Sequence, residues 1–172
     1  MKLTEKIKRL ISLSNQAGQE ILCSPLEGRV VPIEQIPDET FATRILGDGA
    51  AILPLGGTLF SPADARVDQA FETAHAITLV TDSGAELLLH IGIDTVELQG
   101  RYFELLVKAG ECVKAGEALI RFDNAAIRAA DYNVITPMIV SNAQDYTLEV
   151  IATGDVKVGT PLIKLTRKEK EK

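Results

Sequence analysis

Tryptophan is absent from this 172-residue sequence, and three tyrosines and five phenylalanines are its only aromatics apart from histidine. Aliphatic side chains must therefore fill whatever core it builds, and no interleaving of aromatic and basic residues offers a stacking platform for single-stranded nucleic acid. Positive charge is also scarce. The 18 Lys and Arg face 24 Asp and Glu, a formal net charge of -6 that argues against nucleic acid and favours partners with basic surfaces. The two cysteines, Cys23 and Cys112, lack CxxC spacing, and no secretory signal precedes them. A disulfide framework and a structural zinc site are thus unexpected, and the chain reads as cytoplasmic with two buried free thiols. Equally missing are HExxH, the GxSxG nucleophile elbow and, after the glycine-rich GDGAAILPLGG, the GK[ST] ending of a phosphate-binding loop. What remains, 46% hydrophobic and 24% charged residues with scattered Gly and Pro, fits one globular domain of ordinary size.

The first 18 residues form a basic segment in which Leu3, Ile7, Leu10 and Ile11 recur at helical spacing among Lys2, Lys6, Lys8 and Arg9. Such an amphipathic helix is too short to span a bilayer. Residues 1–11 could lie weakly on an anionic membrane surface or dock on the protein, and the pattern does not choose between lipid and protein. Residues 19–167 read as a separate domain, and residues 168–172 as a charged tail. Within the domain, runs such as GRVVPI, AAILPL, AITLV, ELLLHI, ALIRF, NVITPMIV, TLEVI and PLIKL are separated by Gly, Pro, Asp and Asn. Many short strands with frequent turns predict an all-β antiparallel sandwich or barrel, with helix limited to a turn or two near Tyr102–Lys108 and Ala125–Ala130.

Two internal repeats predict duplicated, hammerhead-like units. SPLEGRVV at Ser24 returns as SPADARVD at Ser61, and CVKAGEALIRF at Cys112 returns as DVKVGTPLIKL at Asp155. The shared V-K-x-G-x-x-L-I resembles a unit of biotinyl and lipoyl carriers. However, Lys114 and Lys157 lack the setting of a modifiable lysine, so the repeats read as structural turns.

Both histidines, His75 and His90, fall in ETAHAITLVTDSGAELLLHIGIDTVEL, which predicts a hairpin. A two-residue loop at Asp82-Ser83 sets His75 directly across from His90. A three-residue loop with Gly84 as a bulge slips the register by one and sets Ile91 there instead; both registers stay open. Alternation then gathers Phe71 and Thr73 beside His75, and Leu88, Gly92, Asp94 and Val96 beside His90. A neutral imidazole is a good nucleophile near pH 7 and its neighbour can steady an incoming anion, which suits phosphoryl transfer without a metal. Zinc hydrolysis is the rival chemistry, with His75, His90 and Asp94 as its only ligands.

The stretches SPLEGRVVPIEQIPDETFATRILGDGAAILP and FETAHAITLVTDSGAELLLHIGIDTVEL closely resemble the glucose-type enzyme IIA family of the bacterial phosphoenolpyruvate-dependent sugar phosphotransferase system. The likeness spans about Ile21 to Thr166. It implies an antiparallel β-sandwich in which His90 accepts a phosphoryl group at Nε2 from the carrier HPr and passes it to a cysteine of enzyme IIB. His75 is implied to stabilise the transferring group, Thr73 to hydrogen-bond His75, and the Gly92 carbonyl to orient His90. By the same resemblance Asp38 and Asp94 are acidic partner contacts around an apolar patch of Phe41, Ile45, Phe71, Leu88 and Val96. Leu88 and Ile91 replace aromatics common in the family, and Glu39 and Thr40 are polar where the patch is often apolar. No cofactor is required, but relatives imply zinc between His75 and His90 when a partner adds a carboxylate. Regulated transporters and metabolic enzymes are further implied partners, with the protein cytoplasmic and at most peripheral at the inner membrane face.

Overall fold

The computed structural model of the chain describes Glu5, Arg9 and residues 18–171. The helix expected over residues 1–11 lies outside the described residues except at Glu5 and Arg9, which are helical and exposed. No described helix is long and apolar enough to cross a membrane.

Fourteen strands follow one another through the described residues. β1 (Gln19–Cys23) and β2 (Gly28–Pro32) lead through a 3-10 turn at Ile33–Gln35 and a one-turn helix α1 (Glu39–Ala42) to β3 (Asp48–Pro54). Next come β4 (Thr58–Phe60), β5 (Ala65–Ala70), β6 (Ala76–Thr81) and β7 (Glu86–His90). After a 3-10 turn at Thr95–Leu98 the chain forms β8 (Phe103–Leu105), β9 (Cys112–Val113), β10 (Ala118–Phe122) and helix α2 (Asn124–Ala129). β11 (Thr136–Val140), β12 (Tyr146–Val150), β13 (Asp155–Val156) and β14 (Pro161–Arg167) complete it. Helix α2 answers the helical turn expected at Ala125–Ala130, and Asp123 caps it by accepting the Ala126 N–H at 3.0 Å. The other expected turn, near Tyr102–Lys108, is strand β8 instead, because Phe103 and Leu105 pair with Phe122 and Ile120 of β10.

Eight strands make one antiparallel sheet in the order β13-β2-β3-β11-β7-β6-β5-β9, and two three-stranded sheets, β1-β14-β12 and β4-β10-β8, complete the sandwich. The main core collects Leu22, Leu59, Leu79, Leu89, Ile120 and Leu165, all essentially free of solvent. On the large sheet's other face lies a smaller core of Ile33, Ile36, Phe41, Ala51, Ile93, Ile135 and Ile139. Central strand β11 feeds both: Met138 and Val140 point into the first, Ile139 into the second, so every residue of it is buried.

The sequence repeats fold alike. Ser24 and Ser61 each donate a hydroxyl hydrogen bond of 2.7 Å to the carbonyl two residues on, at Leu26 and Ala63. Each serine also docks on the V-K-x-G turn of its own half: Gly159 N–H reaches Ser24 O at 3.0 Å, and Gly116 N–H reaches Ser61 O at 2.8 Å. The Lys157 and Lys114 backbone amides are held by Thr160 Oγ1 and Glu117 Oε2, as structural turns require. The sheets obey the same symmetry. β13 pairs with β2 as β9 pairs with β5, and β1-β14-β12 matches β4-β10-β8. Of the two thiols, Cys23 is buried, which pushes it up to about 11, whereas Cys112 is exposed, against expectation, at the sheet-edge strand β9.

Candidate functional site

The hairpin that carries both histidines closes with three residues, not two. Thr81 N–H bonds to Ala85 O and Gly84 N–H to Thr81 O, both at 2.9 Å, with Gly84 at φ +93°. Asp-Ser is disfavoured for the paired positive φ values of a tight two-residue loop, and the glycine takes the bulge position. The register therefore pairs Ala76 with His90 and Ile77 with Leu89, and Ile91 donates its N–H to the His75 carbonyl at 2.7 Å. Ile91, rather than His90, lies opposite His75, which corrects the direct pairing.

The rings meet nonetheless, with centroids 5.1 Å apart and planes at 82°. His75 stands just before β6, where regular alternation no longer governs side-chain direction. Ala74 takes a left-handed φ of +50°, and its N–H closes a turn onto Phe71 O at 2.8 Å. That turn, not a common strand face, swings His75 towards His90. Its far end is pinned by side chains from elsewhere: Arg167 Nη2 donates to Ser83 O at 2.9 Å, and Asn142 Nδ2 donates to Gly84 O at 3.0 Å.

Each Nδ1 is committed. Thr73 Oγ1 lies 2.6 Å from His75 Nδ1, and His90 Nδ1 lies 2.7 Å from the Gly92 carbonyl. A carbonyl only accepts, so His90 bears its proton on Nδ1 and presents a lone pair at Nε2. Burial holds His75 down to about 4, helped by the neighbouring His90. Burial also lowers His90, opposed first by the Gly92 carbonyl and then by Asp38 and Asp94. Both rings are neutral at pH 7.

The surrounding residues fall into two groups. Phe41 is buried, with its ring centroid 5.3 Å from His90 in an edge contact, and Leu88 packs beside it on the smaller core. These two form the floor of the site. Phe71, 5.7 Å from His75, is exposed, as are Val96 and Ile45, the last to 76%. Asp38 caps helix α1 by accepting the Thr40 N–H at 2.8 Å, and Asp94 sits at left-handed φ +57° before the Thr95–Leu98 turn. Sequence reasoning missed exposed Leu46 and the buried Thr95, whose hydroxyl bonds to Ile91 O. Threonine's habit of bonding a carbonyl four residues back was the available signal for Thr95. A hollow of about 510 Å³ beside the site is lined by Ile93, Asp94, Glu97 and Tyr132 and includes neither ring. His75 is buried and His90 half-buried, beneath the exposed Phe71, Val96 and Ile45. Among the described residues no three His, Cys, Asp or Glu side chains converge on a common metal position. The chain offers two imidazole nitrogens, half of a tetrahedral set.

Residues 20–146 match the family model of the phosphoenolpyruvate-dependent sugar phosphotransferase system, EIIA 1. The chain is 39% identical over 163 residues to the glucose-specific EIIA component of Bacillus cereus, covering 94% of this chain and 99% of that protein. It is 46% identical over 147 residues to the beta-glucoside-specific EIIBCA component of Dickeya chrysanthemi; those residues make up 85% of this chain but only 23% of that longer protein. The glucose permease IIA structure from Mycoplasma capricolum superposes with a TM-score of 0.79 at 35% identity, over 85% of this chain and 95% of that one. These findings put the molecule among the phosphocarriers, proteins that take up a phosphoryl group and hand it on. The chain belongs to the EIIA 1 family of the phosphoenolpyruvate-dependent sugar phosphotransferase system.

Proposed function

We propose that His90 is the phosphoryl acceptor, loaded by the phosphohistidine of HPr and unloaded onto a cysteine of an enzyme IIB domain during sugar uptake. The observation that carries this reading is the 2.7 Å hydrogen bond from His90 Nδ1–H to the Gly92 carbonyl, which leaves Nε2 with its lone pair free. In the loading step the Nε2 lone pair attacks phosphorus, the P–N bond to the carrier's imidazole breaks, and that imidazole leaves with the bonding electrons. Transfer to cysteine reverses the roles, with a thiolate attacking and His90 departing.

His75 stabilises the phosphoryl oxygens. Neutral His75 with Thr73 Oγ1 donating to its Nδ1 carries its own proton on Nε2, where it can donate to an oxygen of the transferring group. Phosphoryl transfer is chiefly positioning and charge stabilisation, so two correctly protonated imidazoles suffice. Exposed Phe71, Val96 and Ile45, with Asp38 and Asp94, form the docking surface for basic, apolar partners. With both Nδ1 atoms occupied, zinc could be held only by the two Nε2 atoms plus ligands from such a partner. Incubation with enzyme I, HPr and phosphoenolpyruvate is expected to add one acid-labile phosphate. A His90→Ala variant is expected to take up none; labelling of that variant would overturn the assignment.

A further inference from the structure

The hydrogen bond that orients His90 ends on a peptide plane, and groups outside the imidazole pair hold that plane. Gly92 adopts φ +76°, and a Cβ there would come within 2.6 Å of Thr95 Cγ2 and 2.7 Å of the Asn133 carbonyl oxygen. The 91–95 loop is therefore folded tightly on its own Thr95 and against the Asn133 backbone. Thr95 is fully buried and donates its hydroxyl to the Ile91 carbonyl at 2.5 Å, while Ile91 donates its own N–H to His75 O at 2.7 Å. On the other side of Gly92, the Ile93 N–H donates to the Asn133 carbonyl at 2.9 Å. The Asn133 loop is fixed in turn by its side-chain Oδ1, which accepts the Ile135 N–H at 2.9 Å.

Both peptide units flanking Gly92 are thus clamped. The unit that carries the Gly92 carbonyl also carries the Ile93 amide, so one end accepts a hydrogen bond from His90 Nδ1–H while the other donates to Asn133. Hydrogen bonds in such a chain polarise one another, which makes the Gly92 oxygen a stronger acceptor.

We propose that Thr95 is a positioning residue for phosphoryl transfer. Its hydroxyl, with the Asn133 carbonyl, holds the Gly92 peptide in the orientation that keeps the proton of His90 on Nδ1 and the lone pair on Nε2. The proposal rests on His90 being the acceptor. Thr95 touches no reacting atom and acts only through the loop. Without its hydroxyl the Ile91 carbonyl loses its side-chain partner, the loop relaxes, and the Gly92 oxygen leaves the line of Nδ1. The ring can then place its proton on Nε2, where no lone pair remains to attack phosphorus.

Thr95→Val keeps the shape and removes the donor; Thr95→Ser keeps the donor. In the valine variant, nitrogen NMR of the imidazoles is expected to show a rising share of Nε2–H at His90 with His75 unchanged. Loading from phospho-HPr should slow about tenfold, the lower end of the range seen when groups that orient a metal-binding histidine are removed. The serine variant should restore both. Should the valine variant fail to fold, Asn133→Ala, which keeps the backbone carbonyl but removes the Oδ1 that fixes the loop carrying it, is expected to give the same His90-specific shift in weaker form. A wild-type tautomer pattern and loading rate in the folded variant would overturn the clamp while leaving the acceptor intact. Phosphate on His90→Ala would instead remove the acceptor reading beneath it.

Discussion

The two repeat halves place different residues at equivalent positions on the large sheet. Gly28 and Ala65 are equivalent and pair with Pro54 and Thr81; two residues back from these, Ile52 and Leu79 pair with Thr136 and Leu87. Carried to the sheet end, the register makes Asp48 the counterpart of His75 and Ile139 the counterpart of His90. Asp48 is tied to Arg44 Nε at 3.1 Å, and Ile139 is fully buried. The cause lies in the connection before each strand. Between β2 and β3 the chain runs through 33–47 and folds Ile33, Ile36 and Phe41 over the sheet. Between β5 and β6 it has only 71–75, too few residues to cover anything. One sheet end is roofed by the 33–47 segment; the other lacks such a segment and holds the proposed acceptor. The roof also serves the histidine site, since the Phe41 ring packs against the His90 ring in an edge contact.

Removing the roof should have the largest effect on stability. Phe41→Ala is expected to cost about 3 kcal/mol, the scale of truncating a buried phenylalanine, read as a lower melting temperature or denaturant midpoint. It should also raise the pKa of His90, because part of the burial that lowers it disappears. If stability were unchanged, the smaller core would not be what holds the 33–47 segment down. Next in size, His75→Gln is expected to leave loading of His90 intact but to slow transfer to enzyme IIB about a hundredfold, a usual scale for one lost polar group in a transition state. The counterpart change Asp48→Asn should leave both rates alone, and equal losses in the two variants would erase the distinction between the halves.

The smallest effect is a pH dependence. Both histidines titrate below the ordinary imidazole value in the folded protein, so the unfolded chain binds protons first as pH falls. Their combined contribution to stability should be constant above about pH 6.5 and decline from there to about pH 4, the value to which burial holds His75. Loading of His90 should likewise stay flat above about pH 6.5 and fall only below it. A rate already falling at pH 7.5 would show that Asp38 and Asp94 outweigh burial.

Much of this organisation was legible in the sequence. The expected strand runs are strands, and the repeats proved to be paired turns docked on their Ser-Pro segments. The two histidines also converge. Their geometry was not legible, because alternation describes the middle of a strand and the site sits at its ends. Nothing in the side chain of Ala74 announces a left-handed turn, and Asp82-Ser83-Gly84 is compatible with two registers until neighbouring strands choose one. The roof was hidden for a related reason: Phe41 and Val96 are both apolar residues near the histidines, and only the fold buries the first and exposes the second. Thr95 and Asn133 act through backbone groups, which leave little trace in residue identity.

The pinned hairpin tip bears on when the molecule becomes competent during its own synthesis. Ser83 is held by Arg167, a partner 84 residues further along the chain, and Arg167 ends a strand whose other partner, β1, lies near the start. Contacts this distant form late and only after much chain entropy has been lost. A nascent polypeptide could thus pair β6 with β7 while still on the ribosome and tie Gly84 to Asn142, yet the tip of that hairpin would lack its Arg167 tether until β14 emerged and closed the small sheet.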